Sequence, residues 1–347
     1  MIILIVIIGL SLLILGHEAG HFLAARIMGM KVEEFGFGFP PRMWGWKPKR
    51  GETKYSLNWL PFGGFVRIAG ENDRIQGNTE KLAALPESER RKMFYYQKPW
   101  RRSVVILAGV TVNFLLGWLI ISSIFMVGTS STLAIYEVQP GSPAEAVGLL
   151  PGDIVANFRT AEQFIAYVND HRGEEIEMNV RRNGESLTFR VVPRVETAPN
   201  EGAVGIVFAG IASRGPLTAL REGFLATIEM TQLTFLGFYE LLRSLVLTGR
   251  VPGEIVGPVG IVSIATETGR AGLIYVLQLI AFISINLAVI NLLPFPALDG
   301  GRFLMILFEK FKGSPIPRQI EMWVNGVGFV LLVLLMVFIT VRDIVRL

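Results

Sequence analysis

The chain begins MIILIVIIGLSLLILGHEAGHFLAARIMG, an apolar run long enough to cross a bilayer, with His17, Glu18 and His21 inside it. In hydrocarbon the backbone must satisfy its own hydrogen bonds, so such a run is restricted to a helix. Apart from Glu18, no charged residue precedes Arg26. Ionisable groups are costly at membrane depth and point to function there. Residues four apart share one helix face, so the two imidazoles can grip one metal ion, with Glu18 beside them as a general base. H-E-x-x-H also occurs by chance in soluble helices, but chance does not account for three polar groups in an otherwise apolar span. The implied chemistry is metal-assisted hydrolysis of a peptide bond within or near the bilayer. The run lacks a basic leader and a small-residue cleavage site, so it reads as a retained transmembrane helix and not as a signal peptide.

Composition agrees with a polytopic membrane protein. Apolar residues make up 51% of the 347 and charged residues only 18%, and the mean hydropathy is +0.48. The pI near 9.4 fits basic loops on one side of a membrane better than a nucleic-acid partner. There is no cysteine, which excludes disulfides and thiolate metal sites. The only histidines are His17, His21 and His171. Catalytic zinc wants three protein ligands and an open water position. Unless the distant His171 serves, the third ligand is Asp or Glu.

Four spans are expected, at about 2–28, 103–128, 272–298 and 323–341. Segment 31–102 carries fifteen Lys and Arg against eight Asp and Glu, a net of +7. The positive-inside rule assigns it to the cytoplasm. Segment 129–222 carries eight against twelve, a net of −4, and is assigned to the other side. The stretch 214–250 is apolar but holds Glu229, Glu240 and Arg243. Were it a span, Arg302, Lys310, Lys312 and Arg318 would lie outside, against the same rule, so it is read as an interfacial helix.

The second constellation is NLLPFPALDGGR, residues 291–302. Pro294 and Pro296 break a regular membrane helix, and broken backbone is tolerated where it lines a wet cavity or is buried in protein. Asp299 follows the break, on the same side as His17 and His21 by the topology above. It is either an ordinary polar residue at a helix end or the carboxylate that completes a two-imidazole, one-carboxylate zinc set; the scarcity of histidine favours the ligand. Asn291 either bonds the carbonyls freed by the prolines or binds substrate backbone or a developing oxyanion. Asn286 and Asn113 read as packing contacts.

HEAGH near the start, NLLPFPALDGG near the end and a PDZ-like segment between them resemble the site-2 protease family, and most closely its bacterial branch named for the regulator of sigma-E protease. The resemblance covers nearly the whole chain. It implies an intramembrane zinc metalloprotease in which His17, His21 and Asp299 hold Zn2+, Glu18 is the general base and Asn291 lies near the substrate. Some members carry two tandem PDZ domains, whereas this loop has room for one.

The expected fold is a polytopic α-helical membrane protein with four transmembrane helices, a membrane-associated β-hairpin sheet and one inserted PDZ-like α+β domain. The PDZ-like segment spans 132–209. YEVQPGSPAEAVGLLPGDIVANF gives strand, short helix at Ser142-Pro143, and a Gly152-Asp153 turn into another strand. EEIEMNVRRNGESLTFRVVP gives a hairpin around Asn183-Gly184. Such a domain binds a peptide by strand addition, the alternative being a β-rich domain without a ligand. His171 reads as a solvated turn residue. In 32–70, VEEFGFGF and TKYSLNWLPFGGFVRIAG alternate as strands. The resemblance implies a sheet dipping into the membrane beside the zinc, and Gly36, Phe37 and Gly38 are expected at or near an edge that pairs with an extended substrate. The alternative is a membrane-anchoring hairpin. Residues 71–102 read as a polar surface loop with a short helix.

The reading is thus an endopeptidase acting on single-span membrane proteins such as anti-sigma factors or remnant signal peptides, in a bacterial inner membrane, with the lipid bilayer as surroundings and no nucleic acid. The alternatives are a non-catalytic PDZ-bearing adaptor and a metal transporter. The intact HEAGH and LDG residues speak against the adaptor, and a Glu directly after the first His speaks against the transporter.

Overall fold

The structure is a computed structural model that describes residues 2–49, 51–71, 84–128, 133–182, 184–197, 201–208, 213–248 and 257–346. In chain order the elements are α1 (Ile2–Ile27), β1 (Val32–Trp46), β2 (Lys54–Ile68), α2 (Glu87–Arg90), α3 (Pro99–Val127), β3 (Leu133–Val138), α4 (Pro143–Ala146), β4 (Ile154–Val155), α5 (Ala161–Asp170), β5 (Ile176–Arg182), β6 (Glu185–Val191) and β7 (Ile206–Phe208). The helices α6 (Pro216–Thr248), α7 (Pro258–Ala271), α8 (Leu273–Leu292), α9 (Asp299–Lys312) and α10 (Arg318–Arg346) follow. The chain divides into two compact units, Met1–Ile121 with Gly223–Leu347, and Ser122–Glu222.

The first unit holds the membrane helices. Among the described residues four helices are long and apolar enough to cross a bilayer: α1, α3, α8 and α10. These match the four expected spans. Their apolar side chains are divided between a helix-to-helix core and exposed faces. Ala24, Ala25, Val105 and Ile106 are buried in one cluster; Val6, Leu13, Val276 and Ile280 form another. α10 keeps Phe329, Leu334, Leu335 and Phe338 exposed, as a helix facing lipid does. α6 is a single 33-residue helix outside those four. Its Phe224 ring meets Trp118 of α3 at 5.6 Å. α7 occupies a stretch left unassigned from the sequence; Asp343 of α10 accepts a bond from its Gly260 N–H at 2.8 Å, an anion at a helix N-terminus where backbone donors lack partners.

Two long strands, β1 and β2, form the expected sheet, but they fold back on themselves. Phe35 pairs with Val66 and also with Tyr55; Gly36 pairs with Phe65 and also with Ser56. Residues 42–46 pair in turn with the far side of 55–58. The segment order is therefore 42–46, 54–58, 34–37, 64–67. Phe22 of α1 packs on this sheet, its ring 5.2 Å from Phe35. Part of the expected loop at 71–102 lies at 72–83, outside the described residues; α2 supplies its short helix.

The second unit is a five-stranded sheet of order β6-β5-β4-β3-β7, antiparallel throughout, with α4 and α5 as its helices. Alternation in β5 buries Ile176, Met178 and Val180 against Leu149, Phe164 and Val191. Ser142 caps α4 by accepting from the Glu145 N–H at 3.2 Å, and Pro143 sits at its first position. The β5–β6 hairpin closes between Arg182 and Glu185. Gly184 there has φ +91°, which suits glycine in a two-residue turn; Asn183 lies outside the described residues. His171 follows the end of α5 in the expected turn, half-buried, its Nδ1 2.8 Å from the Tyr167 carbonyl oxygen.

Candidate metal centre

One turn of α1 presents His17 and His21 on the same face. The two rings meet edge to face with centroids 4.7 Å apart, and their Nε2 atoms stand 3.1 Å from one another. Both residues are 8% exposed, so each nitrogen needs a partner inside the protein.

Asp299 reaches them from the other end of the chain. α8 stops at Leu292, residues 293–298 are irregular, and α9 begins at Asp299 itself. Prolines 294 and 296 account for the stop. Gly300 and Gly301 account for the tight restart: a Cβ at Gly300 would collide with the Leu292 and Leu293 carbonyls, and one at Gly301 with that of Phe295. Ala297 takes a left-handed φ of 71°, and its N–H donates to Asn325 Oδ1 at 3.2 Å. This folded corner delivers Asp299 Oδ2 to 3.0 Å from His17 Nε2 and 3.3 Å from His21 Nε2.

Two imidazole nitrogens and one carboxylate oxygen thus converge on a single point. Donors about 2 Å from a tetrahedral ion stand roughly 3.3 Å apart, close to the separations found. Asp299 Oδ2 is buried and has no hydrogen-bond partner among the described residues, which a cation would supply. His21 Nδ1 lies 2.8 Å from the Val105 carbonyl oxygen, an atom that only accepts. The proton is therefore on Nδ1, and the Nε2 lone pair faces the other two donors. α3 leaves room for the group: a Cβ on Gly109 would lie 2.6 Å from His21 Nε2 and 2.8 Å from His17 Nε2. The residues present fit zinc.

These donors line a cavity of about 390 Å³ shared with Glu18, Phe65, Val66, Asn113, Asn291 and Arg302. Glu18 Oε2 accepts from the Val66 N–H at 3.0 Å. Asn291, in the last turn of α8, lines the same cavity. The sheet meets it along one edge. Gly36 and Phe37 are paired on both sides, and Gly38, at φ +79°, packs against the Leu60 carbonyl. Gly36 and Phe37 lie next to that edge, one strand in from the segment that borders the cavity, Phe65–Ile68. The reason is the fold-back of β2, whose two halves flank the first half of β1. Asn113, read from the sequence as a packing contact, also lines the cavity, with Nδ2 3.4 Å from His17 Nδ1. Its only sequence signal was a polar side chain inside a span. Asn286 bonds the Phe282 carbonyl of its own helix at 2.8 Å. Arg302, one turn after Asp299, is bound to Glu71.

A model of peptidase family M50 matches residues 5–335. A relative from Clostridium perfringens, named provisionally as a zinc metalloprotease, is 34% identical over 99% of both chains. The zinc metalloprotease RasP of Geobacillus kaustophilus is 30% identical, over 96% of this chain and 95% of that one. The regulator of sigma-W protease RasP of Bacillus subtilis is 27% identical over 96% of both.

Proposed function

The chain belongs to peptidase family M50 and is a zinc metalloprotease, and from that premise we propose that it is an intramembrane endopeptidase cutting transmembrane segments of single-span membrane proteins. The observation that carries the proposal is the convergence of His17, His21 and Asp299, beside Glu18, on a cavity in a unit built of membrane-length helices. In this reading the first three hold Zn2+ and Glu18 is the catalytic base.

Bound zinc supplies Lewis-acid polarisation of the scissile carbonyl and a water acidic enough to ionise near neutral pH. Glu18 takes the proton of the attacking water and delivers it to the departing amide nitrogen. The Val66 N–H holds Glu18 by one carboxylate oxygen. A helical peptide bond has its carbonyl bonded and crowded, so the substrate must first be extended. The Phe65–Ile68 border of the sheet is the strand against which we propose it pairs, with main-chain bonds giving affinity. Asn291, which lines the same cavity, is the proposed donor to the substrate backbone or oxyanion.

By charge, the net +7 of 31–102 favours a cytoplasmic location for that segment and for the site, and leaves the Ser122–Glu222 unit outside, in a bacterial inner membrane. Its strand order and two helices support reading 132–209 as a PDZ-like domain for an extended peptide. One relative is named a regulator of sigma-W protease; by that analogy, anti-sigma factors are the proposed substrates, with remnant signal peptides a second class.

The test is purified full-length protein reconstituted with a labelled single-span substrate, beside Glu18→Gln and a zinc chelator. Cleavage by the wild type alone, stopped by chelation, supports the proposal. Zinc binding without cleavage of any single-span substrate would favour a metal-bearing adaptor.

A further inference from the structure

We propose that Asn113 is the positioning residue for His17: its side-chain oxygen accepts the His17 Nδ1–H and so keeps the Nε2 lone pair on the metal. The proposal rests on the ligand set above. Asn113 sits in the middle of α3 and is 1% exposed. As placed, its Nδ2 is 3.4 Å from His17 Nδ1, while its Oδ1 is buried with no partner among the described residues. An amide's oxygen and nitrogen have nearly the same shape, and which is which follows from the hydrogen bonds available. Turning the amide over satisfies the orphaned oxygen and gives His17 an acceptor in one step.

The result is the arrangement already present at His21. There a carbonyl, that of Val105, holds Nδ1–H and leaves Nε2 for the centre. Val105, Gly109 and Asn113 are spaced four apart on α3 and form one stripe. The stripe offers an acceptor to His21, a gap where a Cβ would strike both rings, and an acceptor to His17. Ser284 Oγ donates to the Asn113 backbone carbonyl at 2.7 Å, which fixes this turn of α3 to α8. Outer partners of this kind fix the tautomer and orientation of a ligating histidine, and their loss lowers metal affinity about 10–100-fold.

The test measures zinc affinity in the full-length protein by competition with a chromophoric chelator, with no substrate present. Asn113→Leu keeps the shape and removes the acceptor; Asn113→Asp keeps an acceptor. The expected result is a 10–100-fold loss for Leu and affinity within about threefold of wild type for Asp. Zinc bound by Asn113→Leu as tightly as by wild type, or lost equally in Leu and Asp, overturns the proposal. Should the Leu variant fail to fold, Asn113→Ala carries the same expectation. His17→Ala separates the two levels. If zinc survives it, the ligand set fails and the proposal with it; if zinc depends on His17 but not on Asn113, only the proposal fails.

Discussion

The Val66 backbone N–H donates to Glu18 Oε2 at 3.0 Å, so one strand of the sheet grips the acidic residue of the H-E-x-x-H helix. A general base needs a fixed position as much as a suitable affinity for protons. The same strand borders the cavity, so under the proposed pairing one backbone would set both substrate register and base position.

Glu18→Gln is expected to bind zinc normally and to lose cleavage by at least about 10²–10⁴-fold, the usual contribution of a positioned general base. Val66→Pro isolates the strand's part. It removes the N–H that serves Glu18 and none that serves β1, since neighbouring N–H groups point to opposite sides of a strand. The expected outcome is a fall in kcat greater than the rise in KM. An unchanged kcat in Val66→Pro would show that Glu18 is placed by something else.

Gly109→Ala puts a methyl group where the two imidazoles stand, with 2.6 Å to His21 Nε2 and 2.8 Å to His17 Nε2. Zinc affinity is expected to drop on the order of tenfold or more. Gly117→Ala, two turns along the same helix, is the control. Its methyl meets Ile285 Cγ1, 2.7 Å away, and should cost roughly 1–3 kcal/mol of overpacking strain with zinc retained. Chelator competition and unfolding midpoints in detergent separate the two.

The candidate metal donors that the structure brings together were legible in the sequence because their patterns are local. Two His four apart on a helix, and an Asp directly after a proline break, announce themselves without knowledge of tertiary structure. The four spans were legible for the same reason, since membrane length and apolarity are properties of a run. Asn113 and Gly109 were not, because their meaning depends on which face of α3 meets α1. The exact rank of Gly36 and Phe37 in the sheet was not legible, because alternation identifies a strand but not its neighbours. Only the double pairing of Phe35 and Gly36 reveals that they are interior. α7 was missed because its polar composition, with Thr266, Glu267, Thr268 and Arg270, gives no membrane signal.

Arg102 and Glu309 form an ion pair at 2.8 Å with side chains 12% and 10% exposed, joining the start of α3 to the end of the helix that carries Asp299. The Arg102 guanidinium also lies over Phe94 and Tyr95, 5.3 and 5.7 Å from the ring centres. Removing one partner leaves a buried charge, so Glu309→Leu should cost about 3–5 kcal/mol. The double variant with Arg102→Met should cost clearly less than the sum of the single changes, because no charge is stranded. Unfolding midpoints of the four proteins test it; simple additivity would mean the pair is not coupled.

Asp153 ties the second unit to pH. Its carboxylate is 1% exposed, and burial alone would raise its pKa. Hydrogen bonds from Arg182 Nε and Nη2, each 2.7 Å, and from the Leu150 N–H at 2.9 Å outweigh that, together with the guanidinium charge, and the net direction is downward. A carboxyl whose folded pKa lies below its unfolded value stabilises the fold above the unfolded value and loses that contribution as pH falls through the folded one. The loss should therefore begin below about pH 4, the ordinary aspartate value. Hydrogen exchange in the full-length protein, corrected for the intrinsic rate at each pH, should show β4 and β5 losing protection in that range. Asp153→Asn should start with lower protection at neutral pH and show a flatter decline, because it has no proton to gain. If the wild type and Asp153→Asn declined in parallel, acid sensitivity would belong to another group.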